Sequence, residues 1–287
     1  MRSLTLESVT SRPAPRRRHF TPSAKLGAAV LAVIVLAAVA PFLFTRANPE
    51  QVDILTRLSP PSRVHPFGTD NIGRDLLARL VYGARISLLV AVVSVGGAVL
   101  IGVTVGLLAG YYGGWAETLV MRTVDVFLAF PAILLALALV AVLGAGVTSV
   151  ITALVLVFWT QYARVVRAAT LAEKEKAYVE AARAIGAGNG RILFRYILPN
   201  ILSPVIILAT LGMGAAVVAE SALSFLGMGV QPPAPSWGWT LAFGTRYLRD
   251  APHIATLSGS AIMLTVLGFN LLGDGIRDML DPKFRPQ

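Results

Sequence analysis

Long apolar stretches alternate with short charged segments along the 287-residue chain. A bilayer core about 30 Å thick needs roughly 20 mostly apolar residues per helix, because lipid offers no partner for free backbone groups. Six stretches meet that requirement, at approximately 26–45, 86–110, 122–143, 147–164, 197–219 and 252–273. The pattern therefore predicts an all-α integral membrane protein with six transmembrane helices that contact membrane lipid.

Glycine and proline mark the turns between these stretches. Gly144-Ala145-Gly146 separates the third stretch from the fourth and predicts a tight external turn. Residues 221–245 contain "QPPAPSWGW", whose prolines break helices and whose tryptophans suit a membrane interface, so this segment is predicted to be an external loop. Pro131 and Pro204 lie inside predicted spans and should loosen those helices locally.

The composition supports a membrane protein and gives its orientation. The chain is 55% hydrophobic and 14% charged, and it contains no cysteine. Its net charge of +10 would suggest nucleic acid in a soluble protein, but arginine and lysine are also retained on the cytoplasmic side of membrane proteins. With both termini cytoplasmic, 17 of the 25 basic residues fall inside. We therefore predict a multi-pass protein of the cell membrane without a nucleic-acid partner.

The same pattern divides the chain into five regions. They are a cytoplasmic basic tail at 1–25, a first transmembrane helix at 26–45, an extracytoplasmic loop at 46–85, a five-helix core at 86–273 with a cytoplasmic loop at 165–196, and a cytoplasmic tail at 274–287. Within the core, Gly102, Gly106 and Gly110 recur every four residues, so one face of this helix lacks side chains. Such a face predicts close packing against a neighbouring helix.

The longest cytoplasmic loop carries the most informative sequence. Residues 171–187 are rich in Ala, Glu and Lys and predict a helix that Gly188-Asn189-Gly190 ends. Val179, Ala182 and Gly186 form a narrow face of small residues. Such a face can enter a groove on another protein, or the segment can be an ordinary connector on the membrane surface.

The residues of this loop resemble the EAA loop of ABC importer permeases. That motif reads E-A-A, three residues, G, nine residues, I, one residue, L-P, and its matching positions here are Glu180, Ala181, Ala182, Gly186, Leu198 and Pro199. Tyr196 occupies the isoleucine position. In such permeases the loop helix couples to an ATPase, and the resemblance implies a docking site formed by Glu180, Ala181, Ala182, Arg183 and Gly186.

Other stretches are similar to the peptide and nickel branch of that family, and to the second permease of its usual pair. They include "HPFGTDNIGRDLLARLVYGARISL" at 65–88, "ESALSFLGMGVQPPAPSWGW" at 220–239 and "LLGDGIRDMLDPKFR" at 271–285. The resemblance implies a type I importer bundle for di- or oligopeptides. It also implies a second permease, two ATP-binding subunits and an extracytoplasmic substrate-binding protein. No lysine follows a glycine, so a phosphate-binding P-loop is absent from the sequence. ATP and Mg²⁺ are therefore expected on the partner subunits, with no cofactor on this chain and no enzyme activity of its own.

Two acidic residues in the spans and one external turn are further candidates. Asp125 and Glu220 lie near span ends, where acidic residues either line a path or sit at the membrane interface with nearby cations. A self-sufficient secondary transporter or channel that uses these two carboxylates is the alternative to the importer. Gly68, Thr69 and Asp70 either contact the binding protein or simply build turns.

Overall fold

The structure is a computed structural model that describes residues 21–280. This range is helical, and its β structure is limited to an isolated bridge between Thr69 and Asp75. Most of the predicted N-terminal tail, at 1–20, and part of the predicted C-terminal tail, at 281–287, lie outside the described residues. The prediction of an all-helical protein is confirmed.

Nine helices organise the described part of the chain. They are α1 (Pro22–Val39), α2 (Leu76–Tyr112), α3 (Gly114–Leu128), α4 (Ala132–Leu143), α5 (Val147–Lys174), α6 (Ala177–Ala184), α7 (Asn189–Phe225), α8 (Trp237–Thr245) and α9 (Pro252–Leu280). Five of them, α1, α2, α5, α7 and α9, are long and apolar enough to cross a membrane, and α3 with α4 forms a sixth candidate. The predicted six spans are thus five continuous helices and one broken pair.

The third predicted span, 122–143, is not one straight helix. The axes of α3 and α4 meet at 92° across the break before Ala132. Pro131 has no N–H to donate, its ring disfavours a helical conformation of the residue before it, and its own ψ of 123° is not helical, so the helix breaks there. Pro204, by contrast, lies within the continuous helix α7.

Helices α2 and α5 pack through the predicted glycine face. A Cβ atom on Gly102 would lie 2.5 Å from Tyr162 Cβ, and one on Gly106 would lie 2.5 Å from the carbonyl oxygen of Ala163. Near the other end of the contact, a Cβ on Gly110 would lie 2.8 Å from Thr170 Cβ. The absence of side chains therefore lets the two backbones touch, as the spacing predicts.

Two predicted loops are partly helical. Helix α2 begins at Leu76, where the Asp75 carboxylate accepts the backbone N–H of Ala78 at 2.7 Å, so residues 76–85 belong to the helix rather than to the external loop. The segment 221–245 was predicted to be a loop throughout, but α7 continues to Phe225 and Ser236 caps α8. Its prolines precede that cap and therefore leave α8 intact.

Candidate functional site

Helix α6 is shorter than the predicted helix over 171–187. Helix α5 ends at Lys174, and α6 begins at Ala177 and ends at Ala184. Gly186 has a φ of +83°, and the N–H groups of Gly186 and Ala187 donate to the carbonyls of Arg183 at 2.9 Å and Ala182 at 3.0 Å. This is a Schellman turn, which requires a left-handed residue after the helix. Gly186 therefore ends α6, and the segment Gly188-Asn189-Gly190 leads into α7 instead of ending a helix.

Two of the three residues of the predicted small-residue face, Val179 and Ala182, pack against the chain itself. Val179 is fully buried and Ala182 is 3% exposed, in a cluster with Ile192, Leu193 and Ile197 of α7. The start of α7 folds back over α6 and covers this face. The prediction that this face enters another protein is therefore wrong, and Ala182 is removed from the candidate docking residues.

The opposite side of α6 is exposed. Glu180, Ala181, Arg183 and Gly186 lie there, as does Ile185, which is 81% exposed. The Arg183 guanidinium lies 5.7 Å from the ring centroid of Tyr111 on α2. Because Ile185 is outside the small-residue pattern, sequence reasoning missed it. The exposed side presents one branched apolar side chain together with an acidic and a basic residue.

Sequence reasoning also missed Tyr178, whose hydroxyl joins three helices. It donates to Glu173 at the end of α5, and it accepts the Asn200 side-chain amide of α7 at 3.3 Å. The same amide donates to the carbonyl oxygen of Tyr196 at 2.6 Å. Burial and the Glu173 carboxylate raise the pKa of Tyr178 to about 12, so its hydroxyl stays protonated at neutral pH.

Glu220 is fully buried on α7 and is enclosed by serine hydroxyls. Ser87 of α2 donates to Oε2 at 2.9 Å and Ser224 donates to Oε1 at 2.8 Å. Ser221 lies 3.4 Å and Ser236 lies 3.5 Å from the carboxylate. No cation pairs with Glu220 among residues 21–280. The carboxylate therefore joins α2, α7 and the cap of α8.

Asp125 occupies a different environment from Glu220. It pairs with Arg164 of α5 rather than with Arg122, and both side chains of this pair are about half exposed (52% and 51%). Glu117 pairs with Arg167 in the same way, so two ion pairs tie α3 to α5. The structure does not bring the two predicted acidic residues together.

The external turn residues Gly68, Thr69 and Asp70 are buried. Asp70 accepts the backbone N–H of Arg74 at 3.0 Å and pairs with its guanidinium at 2.6 Å. These contacts hold the loop together from within. The prediction that these three residues contact a binding protein is replaced by the turn-building interpretation, because their side chains are covered by the loop.

The bundle of long apolar helices, with the short helix α6 between two of them, is the architecture of a multi-pass membrane protein. Residues 102–286 match the family described as "Binding-protein-dependent transport system inner membrane component". The chain belongs to this family. It is therefore a membrane permease component of a transport system.

Relatives over nearly the whole length carry more specific names. The dipeptide transport system permease protein of Alkalihalophilus pseudofirmus is 44% identical over 91% of this chain and 86% of its own length. The glutathione transport system permease protein of Pectobacterium atrosepticum is 43% identical over 94% and 89%. A putative peptide transport system permease protein of Brucella suis is 42% identical over 96% and 92%. These relatives are components of transport systems, which disfavours a self-sufficient secondary transporter that uses Asp125 and Glu220.

Proposed function

We propose that this chain is a permease subunit of an ATP-driven importer for di- or oligopeptides. Membership of the family and the peptide cargoes named for three relatives support this proposal. The complete importer contains a second, homologous permease, two ATP-binding subunits and an extracytoplasmic substrate-binding protein. The chain lies in the cell membrane with both termini in the cytoplasm, and ATP and Mg²⁺ bind to the partner subunits.

The exposed side of α6 is the proposed docking site for an ATPase subunit. Ile185 supplies an exposed apolar side chain and Glu180 and Arg183 supply charged ones, and protein interfaces combine both kinds of contact. Ala181 and Gly186 complete the surface with small residues that allow close approach. The exposure of Ile185 is the observation that carries this assignment, since an isolated branched side chain in water gains most from a complementary pocket.

The importer works by alternating access in this proposal. Closure of the ATPase subunits displaces α6, and the two permease bundles rock so that the path opens on opposite sides of the membrane. Because α6 packs against the start of α7 and follows α5 directly, two membrane-spanning helices receive its displacement.

Ile185→Asp tests the docking site. We expect the purified variant to lose its ATPase subunits and the reconstituted complex to stop importing a labelled dipeptide, because a carboxylate replaces the exposed apolar side chain. Leu55→Asp is the matched control, since Leu55 is 97% exposed on the loop predicted to be external. Gly186→Trp is less informative, because a side chain at a φ of +83° also distorts the turn.

Retention of the ATPase subunits by Ile185→Asp would contradict the docking site. The cargo is tested separately with the wild-type complex and its binding protein. Unlabelled dipeptide and glutathione should compete with the labelled dipeptide to different extents, and failure of every short peptide to compete would contradict the peptide cargo.

A further inference from the structure

We propose that the hydroxyl of Tyr178 is the junction that transmits a displacement of α6 to both α5 and α7. The inference rests on the proposed docking of an ATPase subunit on α6. It assigns a positioning role to a residue outside the EAA residues, and it names Glu173 and Asn200 as the receiving groups.

The remaining buried contacts of α6 are apolar. Val179 and Ala182 pack in a cluster with Ile192, Leu193 and Ile197. Apolar contacts have no preferred direction, so packing and the short connections to α5 and α7 pass on a displacement of α6 without fixing how α6 is oriented on its neighbours. A hydrogen bond has a preferred distance and angle, and a chain of them fixes how one helix lies on another.

The contact with α5 involves a carboxylate in an unfavourable place. Glu173 lies in the last turn of α5, where the negative end of the helix dipole opposes a negative side chain, and it is 7% exposed. Lys176 Nζ, at 2.7 Å, and the Tyr178 hydroxyl offset this cost. Both partners lie on the α6 side of the break, so moving α6 removes the groups that stabilise the end of α5.

The contact with α7 is made beside irregular helix. Residues 192–197 form a π-helical segment, in which the N–H of Leu198 donates to the carbonyl of Leu193. Asn200 follows this segment. Its side-chain amide donates to both the Tyr178 hydroxyl and the Tyr196 carbonyl, and so bridges them. Short π segments are rare and occur frequently at functional sites. Tyr178 is therefore attached to α7 beside a point where its hydrogen bonding can change register.

Tyr178→Phe removes the hydroxyl and keeps the ring. In the complete complex reconstituted in vesicles, we expect the ATPase subunits to remain bound and the ATP hydrolysed per labelled dipeptide imported to rise about fivefold or more, the lower end of typical coupling between sites. Tyr196→Phe is the matched control, because the Tyr196 hydroxyl makes no hydrogen bond within residues 21–280 and only its backbone carbonyl takes part.

A second measurement follows the position of α6 directly. The chain contains no cysteine, so nitroxide labels at Ala177→Cys on α6, which is outside the proposed docking residues, and at Leu202→Cys on α7 report one distance. Both sites are exposed. In the otherwise wild-type protein, we expect a single narrow distribution of the distance between the two labels, both with and without ATP. In Tyr178→Phe we expect a broader distribution.

The outcomes separate the two proposals. An unchanged ATP-to-dipeptide ratio and an unchanged distance distribution in Tyr178→Phe would overturn the role of the hydroxyl. Loss of the ATPase subunits from Tyr178→Phe alone would also overturn it, because the hydroxyl would then hold α6 in place for docking rather than transmit its movement. Failure of the wild-type chain to bind ATPase subunits would instead overturn the proposed function.

Discussion

Glu220 shows how a carboxylate can be buried without a cation. Its two oxygens accept hydrogen bonds from serine hydroxyls of α2 and α7, while Ser236 at the start of α8 lies at 3.5 Å. The group therefore fixes the relative positions of three helices. Apolar side chains at the same place would pack but would not specify one arrangement, because their contacts have no direction.

Glu220→Leu should destabilise the permease by about 1–3 kcal/mol, since it leaves buried hydroxyls without their acceptor. Glu220→Gln should cost less, because an amide retains one acceptor oxygen and hydroxyls can rotate to accept from its nitrogen. Thermal unfolding of the purified chain in detergent measures the difference. Equal melting temperatures for the two variants would contradict a structural role for the hydroxyl contacts.

The pairing of α2 with α5 depends on the glycine face rather than on side-chain complementarity. Gly106 approaches the backbone of Ala163, which cannot move aside as the end of a flexible side chain can. Gly96 lies on the same helix, and a Cβ there would meet no atom within 4 Å. Alanine substitutions at these two positions of α2 therefore distinguish the effect of close packing from the effect of helix propensity.

Gly106→Ala should destabilise the protein by about 1–3 kcal/mol through overpacking. Gly96→Ala should be neutral or should stabilise it by up to about 1 kcal/mol, because alanine is the better helix former. Thermal unfolding of both variants provides the comparison. If Gly106→Ala is as stable as Gly96→Ala, the close approach of α2 and α5 is not what stabilises this helix pair.

The broken pair α3 and α4 is held to its neighbour by a different kind of contact from that between α2 and α5. Its two halves meet at 92°, and α3 is tied to α5 by ion pairs of Asp125 and Glu117 rather than by a glycine face. The Asp125–Arg164 pair is about half exposed, and such charges are costly against lipid, so this side of the molecule is suited to protein or water instead.

The orientation of the chain across the membrane can be tested with single introduced cysteines, because the sequence contains no cysteine of its own. Leu55 and Ala181 are both exposed, on the loop between α1 and α2 and on α6 respectively. Single cysteines at these positions should react differently with a membrane-impermeant maleimide applied to whole cells or spheroplasts. We expect labelling of Leu55→Cys from outside and labelling of Ala181→Cys only after permeabilisation. Labelling of Ala181→Cys from outside would reverse the predicted orientation and remove α6 from the cytoplasm.

The helical class, the number of spans and the family could be predicted from the sequence, because each depends on local patterns. Long apolar stretches must become helices in lipid, a repeated glycine must leave a bare helix face, and the EAA residues lie close together in the chain, between 180 and 199. The same reasoning located α6 and its acidic and basic residues. It could not show which side of α6 is exposed, since that depends on where the chain returns after Gly186.

Contacts between separate segments account for several of the corrections. The start of α7 covers Val179 and Ala182 and leaves Ile185 exposed, and the external loop encloses Asp70 with Arg74 and Arg79. Glu220 meets Ser87, which is 133 positions away, and Asp125 meets Arg164 at a separation of 39. Periodicity along a helix shows which residues share a face, but tertiary packing determines which other segment of the chain contacts that face. For this reason the membrane helices follow from the order of residues, whereas the Tyr178 junction and the serine-enclosed carboxylate exist only once those helices are assembled.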